Sequence, residues 1–104
     1  MRDAYKVRMQ MFLIEQSLIE KYGPEKYCEI KEKINKIAND IIAYQLNKYF
    51  IDNHLNYIYD DYLDYPEALT NLFLKLQKEK LYDEIDKMVA ITCAALSKIL
   101  FIKF

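Results

Sequence analysis

Residues 88–104, MVAITCAALSKILFIKF, are the most apolar stretch of the chain and contain no acidic residue. Met88, Val89, Leu96, Ile99 and Leu100 spread over most of a helical circumference, and Ala90, Ala94 and Ala95 are small enough to admit a close neighbour. A helix of that kind reads as the central element of an all-α fold. Residues 99–104 end on an aromatic ring and need cover from the rest of the chain, a second copy or a partner. Leu96, Ile99, Leu100, Phe101 and Phe104 are therefore the candidate oligomer interface. Lys98 interrupts the stretch, which is also shorter than the ~20 residues of a membrane span, so no membrane association is expected.

Working back from there, the chain holds one Gly and two Pro among 104 residues. That leaves too little turn chemistry for a many-stranded β fold. Both prolines mark helix starts. Tyr22-Gly23-Pro24 stops one helix over residues 2–22 and opens another. Asp64-Tyr65-Pro66-Glu67 opens a later one, because a residue before proline is biased out of the helical region. The first helix carries Tyr5, Met9, Phe12, Leu13 and Ile19 near one stripe, expected to face inward. The second, from 24 to about 51, carries the seam Tyr27, Ile30, Ile34, Ile37, Ile41, Tyr44 at coiled-coil spacing.

Asn53 is a candidate cap for a short third helix bearing Leu55, Ile58, Tyr59 and Tyr62, either separate from or continuous with the second. A fourth covers 66–80 with Leu69, Leu72, Phe73 and Leu76 inward, and a fifth runs from about Asp83 to the end. The expected fold is one all-α domain, residues 1–104: an antiparallel bundle of four to five helices with the C-terminal helix central.

The net charge is −1, which gives no bulk attraction to nucleic acid or to an anionic membrane. Arg2, Lys6 and Arg8, with Lys31, Lys33 and Lys36, are the basic residues that a DNA-binding factor would use. They are sparse and mostly lysine, and nucleic acid is not the expected partner. Charge is nevertheless segregated. Between Lys48 and Lys75 there is no Lys or Arg, while Asp52, Asp60, Asp61, Asp64 and Glu67 all fall there. Tyrosines concentrate in the same stretch. Tyr57, Asp60, Asp61, Asp64, Tyr65 and Glu67 form a candidate partner-binding surface, since tyrosine gives rigid contact area and acids select a basic partner. That partner is another protein or a second copy.

Catalytic motifs are few. Without a Gly-rich loop, phosphate cradles of the P-loop or dinucleotide kind are excluded. His54 is the sole histidine, which argues against a His-based zinc site or a hydrolase triad. No metal and no cofactor is expected. Cys28 and Cys93 are far apart and read as small apolar core positions in a reducing compartment. Residues 1–8 are polar and precede no signal-type apolar run, so the expected localisation is cytoplasmic. The preference for Lys, Ile, Asn, Tyr and Phe over Arg, Ala, Gly and Pro points to an AT-rich genome, such as a low-GC bacterium, its phage or plasmid, or a virus.

Three short patterns resemble known families. Asp60-Asp61-Tyr62-Leu63-Asp64 resembles the DDxxD motif of isoprenoid diphosphate synthases, which holds Mg²⁺ against a diphosphate. Asp60/Asp61/Asp64 with Asp83/Asp86 resemble the paired acidic motifs of all-α nucleoside triphosphate pyrophosphohydrolases of the MazG and dimeric dUTPase kind. Those motifs carry Glu where this chain has Asp, and the intervening helix sets the two clusters at opposite ends. Residues 65–96, with YPEAL and LYDEI opening two helices, resemble one tetratricopeptide-type hairpin. They lack its glycine and any second copy. The reading these residues favour is a non-enzymatic protein-interaction or assembly protein that self-associates. A metal-dependent pyrophosphohydrolase is the alternative, and a DNA-binding accessory factor a second one.

Overall fold

The computed structural model describes residues 2–60 and 62–104, with side chains from residue 5 onward. The described residues hold four α-helices and a closing 3₁₀ turn: α1 (Arg2–Tyr22), α2 (Pro24–Asp52), α3 (Tyr65–Lys78), α4 (Tyr82–Ser97) and the turn Lys98–Phe101. α2 has 29 residues. At 1.5 Å per residue it is about 43 Å long, which matches the 43 Å long axis of the molecule.

The α1–α2 joint is a single residue. Gly23 has φ 86° and ψ 156°, a conformation open essentially to glycine alone. Its N–H closes α1 on the Ile19 carbonyl, and its own carbonyl accepts the first bond of α2, from Tyr27 N–H. Pro24 takes the first helical position, where no N–H is required.

Two other helix ends use no glycine. At the end of α2, Leu55 N–H reaches Phe50 O and His54 N–H reaches Ile51 O, with His54 left-handed at φ 56°. At the end of α3, Leu81 N–H reaches Leu76 O and Lys80 N–H reaches Gln77 O, with Lys80 at φ 60°. Both are Schellman closures, each followed by a leucine folded back on the helix. The first overturns the expected third helix. The chain leaves α2 through His54, and Asn53 is the C-cap of α2, not an N-cap.

Residues 55–60 form neither helix nor strand. They run back along α2 as a strap, from Phe50 toward Asn39. α3 therefore begins beside the first half of α2, where Tyr65 borders a cavity of about 90 Å³ with Tyr27, Ile34, Leu96 and Ile99. α4 returns antiparallel to both α2 and α3. It packs against every other element, and with the 3₁₀ turn it supplies Ile85, Met88, Val89, Leu96 and Ile99 to the core. The all-α bundle with a central C-terminal helix is thus the observed architecture.

Burial departs from the expected stripes in two helices. α2 buries Ile30, Ile34, Ala38, Ile42, Leu46 and Phe50 at steps of four, with Ala43 beside them. Each step advances about 40° around the helix, so the buried line winds from the α1 side to the strap side. Tyr44 is left exposed. α1 buries Val7, Ile14 and Leu18, while Tyr5, Met9, Phe12 and Leu13 point outward. Both faces of α1 are apolar, and contact with α2 and α4 selects the aliphatic one. α3 buries Leu69, Leu72, Phe73 and Leu76 as its pattern requires.

Tyr59 is 1% exposed and is the bulkiest fully buried side chain. Replacing it with Ala removes the ring and the hydroxyl that donates to Asn39, while the backbone N–H to Asn47 remains. Tyr59→Ala should cost about 3–5 kcal/mol, read as a lower urea midpoint at unchanged slope. Thr92 is fully buried and its hydroxyl has no hydrogen-bond partner. Thr92→Val keeps the shape and removes the desolvated hydroxyl, so it should stabilise the fold by about 1 kcal/mol in the same assay.

Candidate functional site

The acidic strap is held by two asparagines of α2, eight residues and thus about two turns apart. Asn47 Oδ1 accepts the Tyr59 N–H at 2.9 Å. Asn39 Oδ1 accepts the Tyr59 hydroxyl proton, and Asn39 Nδ2 donates to Leu63 O at 3.3 Å. A segment in neither helix nor strand has no ladder partner here, so side-chain amides take the place of a neighbouring strand.

This pinning imposes an alternation of period two. Leu55, Tyr57, Tyr59, Leu63 and Tyr65 turn inward, while Asn56, Ile58, Asp60, Tyr62 and Asp64 face solvent. The candidate surface divides along that line. Tyr57 is a wall, not a free contact: its ring packs 5.9 Å from Phe50 and lies under the Lys75 ammonium at 5.5 Å. Tyr65 is half-buried, and burial raises its hydroxyl pKa, with Tyr27 and Glu15 nearby adding to the effect. Asp60, Asp64 and Glu67 are exposed; Asp61 lies outside the described residues.

Asp60 Oδ1 accepts the Tyr62 N–H at 3.1 Å in a local turn. That turn projects Tyr62 outward at 96% exposure. A groove of about 480 Å³ runs beneath it, floored by Asn35 and Asn39 and edged by Lys36, Tyr62 and Asp64. Ile58 is 77% exposed on the same strap, and Tyr44 and Ile51 edge a shallow apolar groove on the neighbouring face of α2. Ile58 and Tyr62 lie inside the acidic, tyrosine-rich stretch but are not among the contact residues its sequence singles out, and Tyr44 lies outside it. A helical period assigned Ile58 and Tyr62 to an inward face that does not form.

The acids are not arranged as a chelate. Asp60 lies outside any helix and Asp64 is the residue preceding α3, so the i, i+4 helical relation is lost. Asp83 and Asp86 are exposed in the first turns of α4, where the neighbouring Glu84 meets Tyr49 of α2. Asp64 edges the groove at Asn39, ten residues or about 15 Å down α2 from Tyr49. Among the described residues no three His, Cys, Asp or Glu side chains converge on a point suited to a metal ion.

The C-terminal candidates also separate. Leu96 and Ile99 are each 1% exposed inside the chain's own core and leave nothing for a second copy. Phe104 is half-buried edge-on against Tyr22 at 6.3 Å, and its N–H donates to the Tyr22 hydroxyl at 3.3 Å. Leu100 is half-buried and Phe101 is exposed. Cys28, expected in the core, is exposed, and Cys93 is half-buried; both are free thiols. Among the described residues no helix is long and apolar enough to cross a membrane.

Tyr49 donates its hydroxyl proton to Glu84. Burial, then that bond and the Glu84 charge, push its pKa from 10.0 up to about 12. A pKa raised on folding contributes stability that is present below pH 10 and is lost as pH rises through 12. In a tyrosinate absorbance titration a step near pH 12 should disappear in Tyr49→Phe. No protein-family model matches the chain, and no curated protein or solved structure is significantly similar to it.

Proposed function

We propose that this chain is a small non-enzymatic protein-interaction and assembly protein, whose partner surface is the outward edge of the strap. The observation that carries the reading is the pairing of pinned and presented residues. Tyr59 and the two asparagines fix the strap, so Ile58 and Tyr62 are held outward at little further entropic cost on binding. Apolar side chains displayed this way, among acids, form a contact with a hydrophobic centre and a charged rim. Asp60, Asp64 and Glu67 select for a basic partner and speed its approach. Self-association belongs to the same reading, because the apolar exposure is not confined to the strap.

A photo-crosslinking residue at position 62 tests this in the native host. A defined protein partner should be captured. The adduct should fall at least about tenfold in the triple variant Asp60→Asn, Asp64→Asn, Glu67→Gln, and with rising salt. Thermal unfolding in Mg²⁺ or Mn²⁺ supplies the contrary arm. A metal-dependent upward shift that Asp64→Asn abolishes, with turnover of a nucleoside triphosphate, would replace this reading with the hydrolase one.

A further inference from the structure

The strap is not the largest apolar exposure on a regular element. On α1, Tyr5, Met9, Phe12 and Leu13 are exposed at 62%, 41%, 56% and 51%. Tyr5, Met9 and Phe12 with Gln16 follow the spacing 5, 9, 12, 16, the four–three–four step of a helix-packing seam, and Leu13 flanks it. The opposite seam of α1, Val7, Met11, Ile14 and Leu18, is already turned to the core. α1 therefore carries two packing seams and the fold uses one.

We propose that the second seam is the docking face for a second copy of this chain, with the two α1 helices crossing antiparallel about a two-fold axis near residues 11–12. The inference rests on the assembly reading and names its self-partner. Charge order along α1 selects this occupant and this direction. From Tyr5 to Ile14 the only charged residues are Lys6 and Arg8, and the acids Glu15 and Glu20 follow. Arg8 and Glu15 are seven residues apart, so they lie on one flank of the helix to within about 20°. Both are exposed. In an antiparallel pair like flanks meet, and Arg8 of each copy faces Glu15 of the other, twice by symmetry. A parallel pair would set this flank against the opposite one, which carries Lys6 and Leu13 and offers Arg8 no acid.

Area is consistent with a dimer of modest affinity. Four side chains about half exposed offer on the order of 400 Å² of apolar surface per copy. Two copies with their polar flanks reach about the 1,000 Å² that a specific interface needs. An obligate dimer buries roughly twice that or more, so the expected equilibrium is a reversible one at micromolar concentrations.

Sedimentation equilibrium of the full chain over a wide concentration range gives the test. The intact chain should pass from monomer to dimer on concentration. Phe12→Asp, at an exposed position that leaves the core intact, should weaken the dimer at least about thirtyfold while circular dichroism stays unchanged. Arg8→Glu should weaken it about tenfold, and Arg8→Glu with Glu15→Arg should return it to within about threefold of the original. A dimer indifferent to Phe12→Asp overturns the proposal and leaves the assembly reading standing. A strict monomer overturns it too, while crosslinking through position 62 then reports on the strap by itself. A monomer that binds vesicles of anionic phospholipid through Phe12 overturns it in favour of a lipid surface.

Discussion

The hydrogen bonds between Tyr59 and the two asparagines of α2 are the constraint on which this fold turns. Without them the segment after His54 has no reason to lie down. It forms no helix, among the described residues it has no strand beside it, and its sequence holds three acids, Asp60, Asp61 and Asp64. With them it reverses direction along α2 and delivers α3 to the correct end of the bundle. The buried ring supplies apolar contact, and the amides supply what a sheet neighbour would. Both are needed, since a buried tyrosine hydroxyl without an acceptor would oppose the fold it helps to close.

That arrangement also separates structural work from surface work within one short stretch. Among the described residues of the strap, Leu55, Tyr57, Tyr59 and Leu63 turn inward and Asn56, Ile58, Asp60 and Tyr62 outward, so neighbours in sequence have different duties. Tyr57 and Tyr59 are walls of the core; Ile58 and Tyr62 are presented. Reading the acidic, tyrosine-rich segment as a single surface merges the two groups. The same lesson applies at the C-terminus, where Leu96 and Ile99 complete this chain's own core and only Phe101 is fully outside it.

Helix ends explain why the strap was not legible. Pro24, Pro66 and Gly23 announce their boundaries by removing an N–H or permitting positive φ. His54 and Lys80 occupy the same left-handed position with ordinary side chains, and tertiary packing of Leu55 and Leu81 stabilises what local preference does not. If α2 runs on into another helix, LNYIYDDYLDY reads at 3.6 residues per turn. Its alternation of period two was available in Leu55, Tyr57, Tyr59, Leu63 and Tyr65. The acids between them, which favour turns and caps as readily as strands, masked it.

What the sequence by itself determined is the class of fold, the start of three helices, the inward face of α3 and the central place of α4. Each rests on local chemistry or on a stripe with only one apolar side. Tertiary structure alone decided which face of α1 is buried, how the buried line winds around α2, and which tyrosines of the strap reach solvent. The physical reason is common to all three. Where a segment has two apolar faces, or an apolar pattern that fits two periods, hydrophobicity fixes that something must be covered. The neighbours fix what it is covered by.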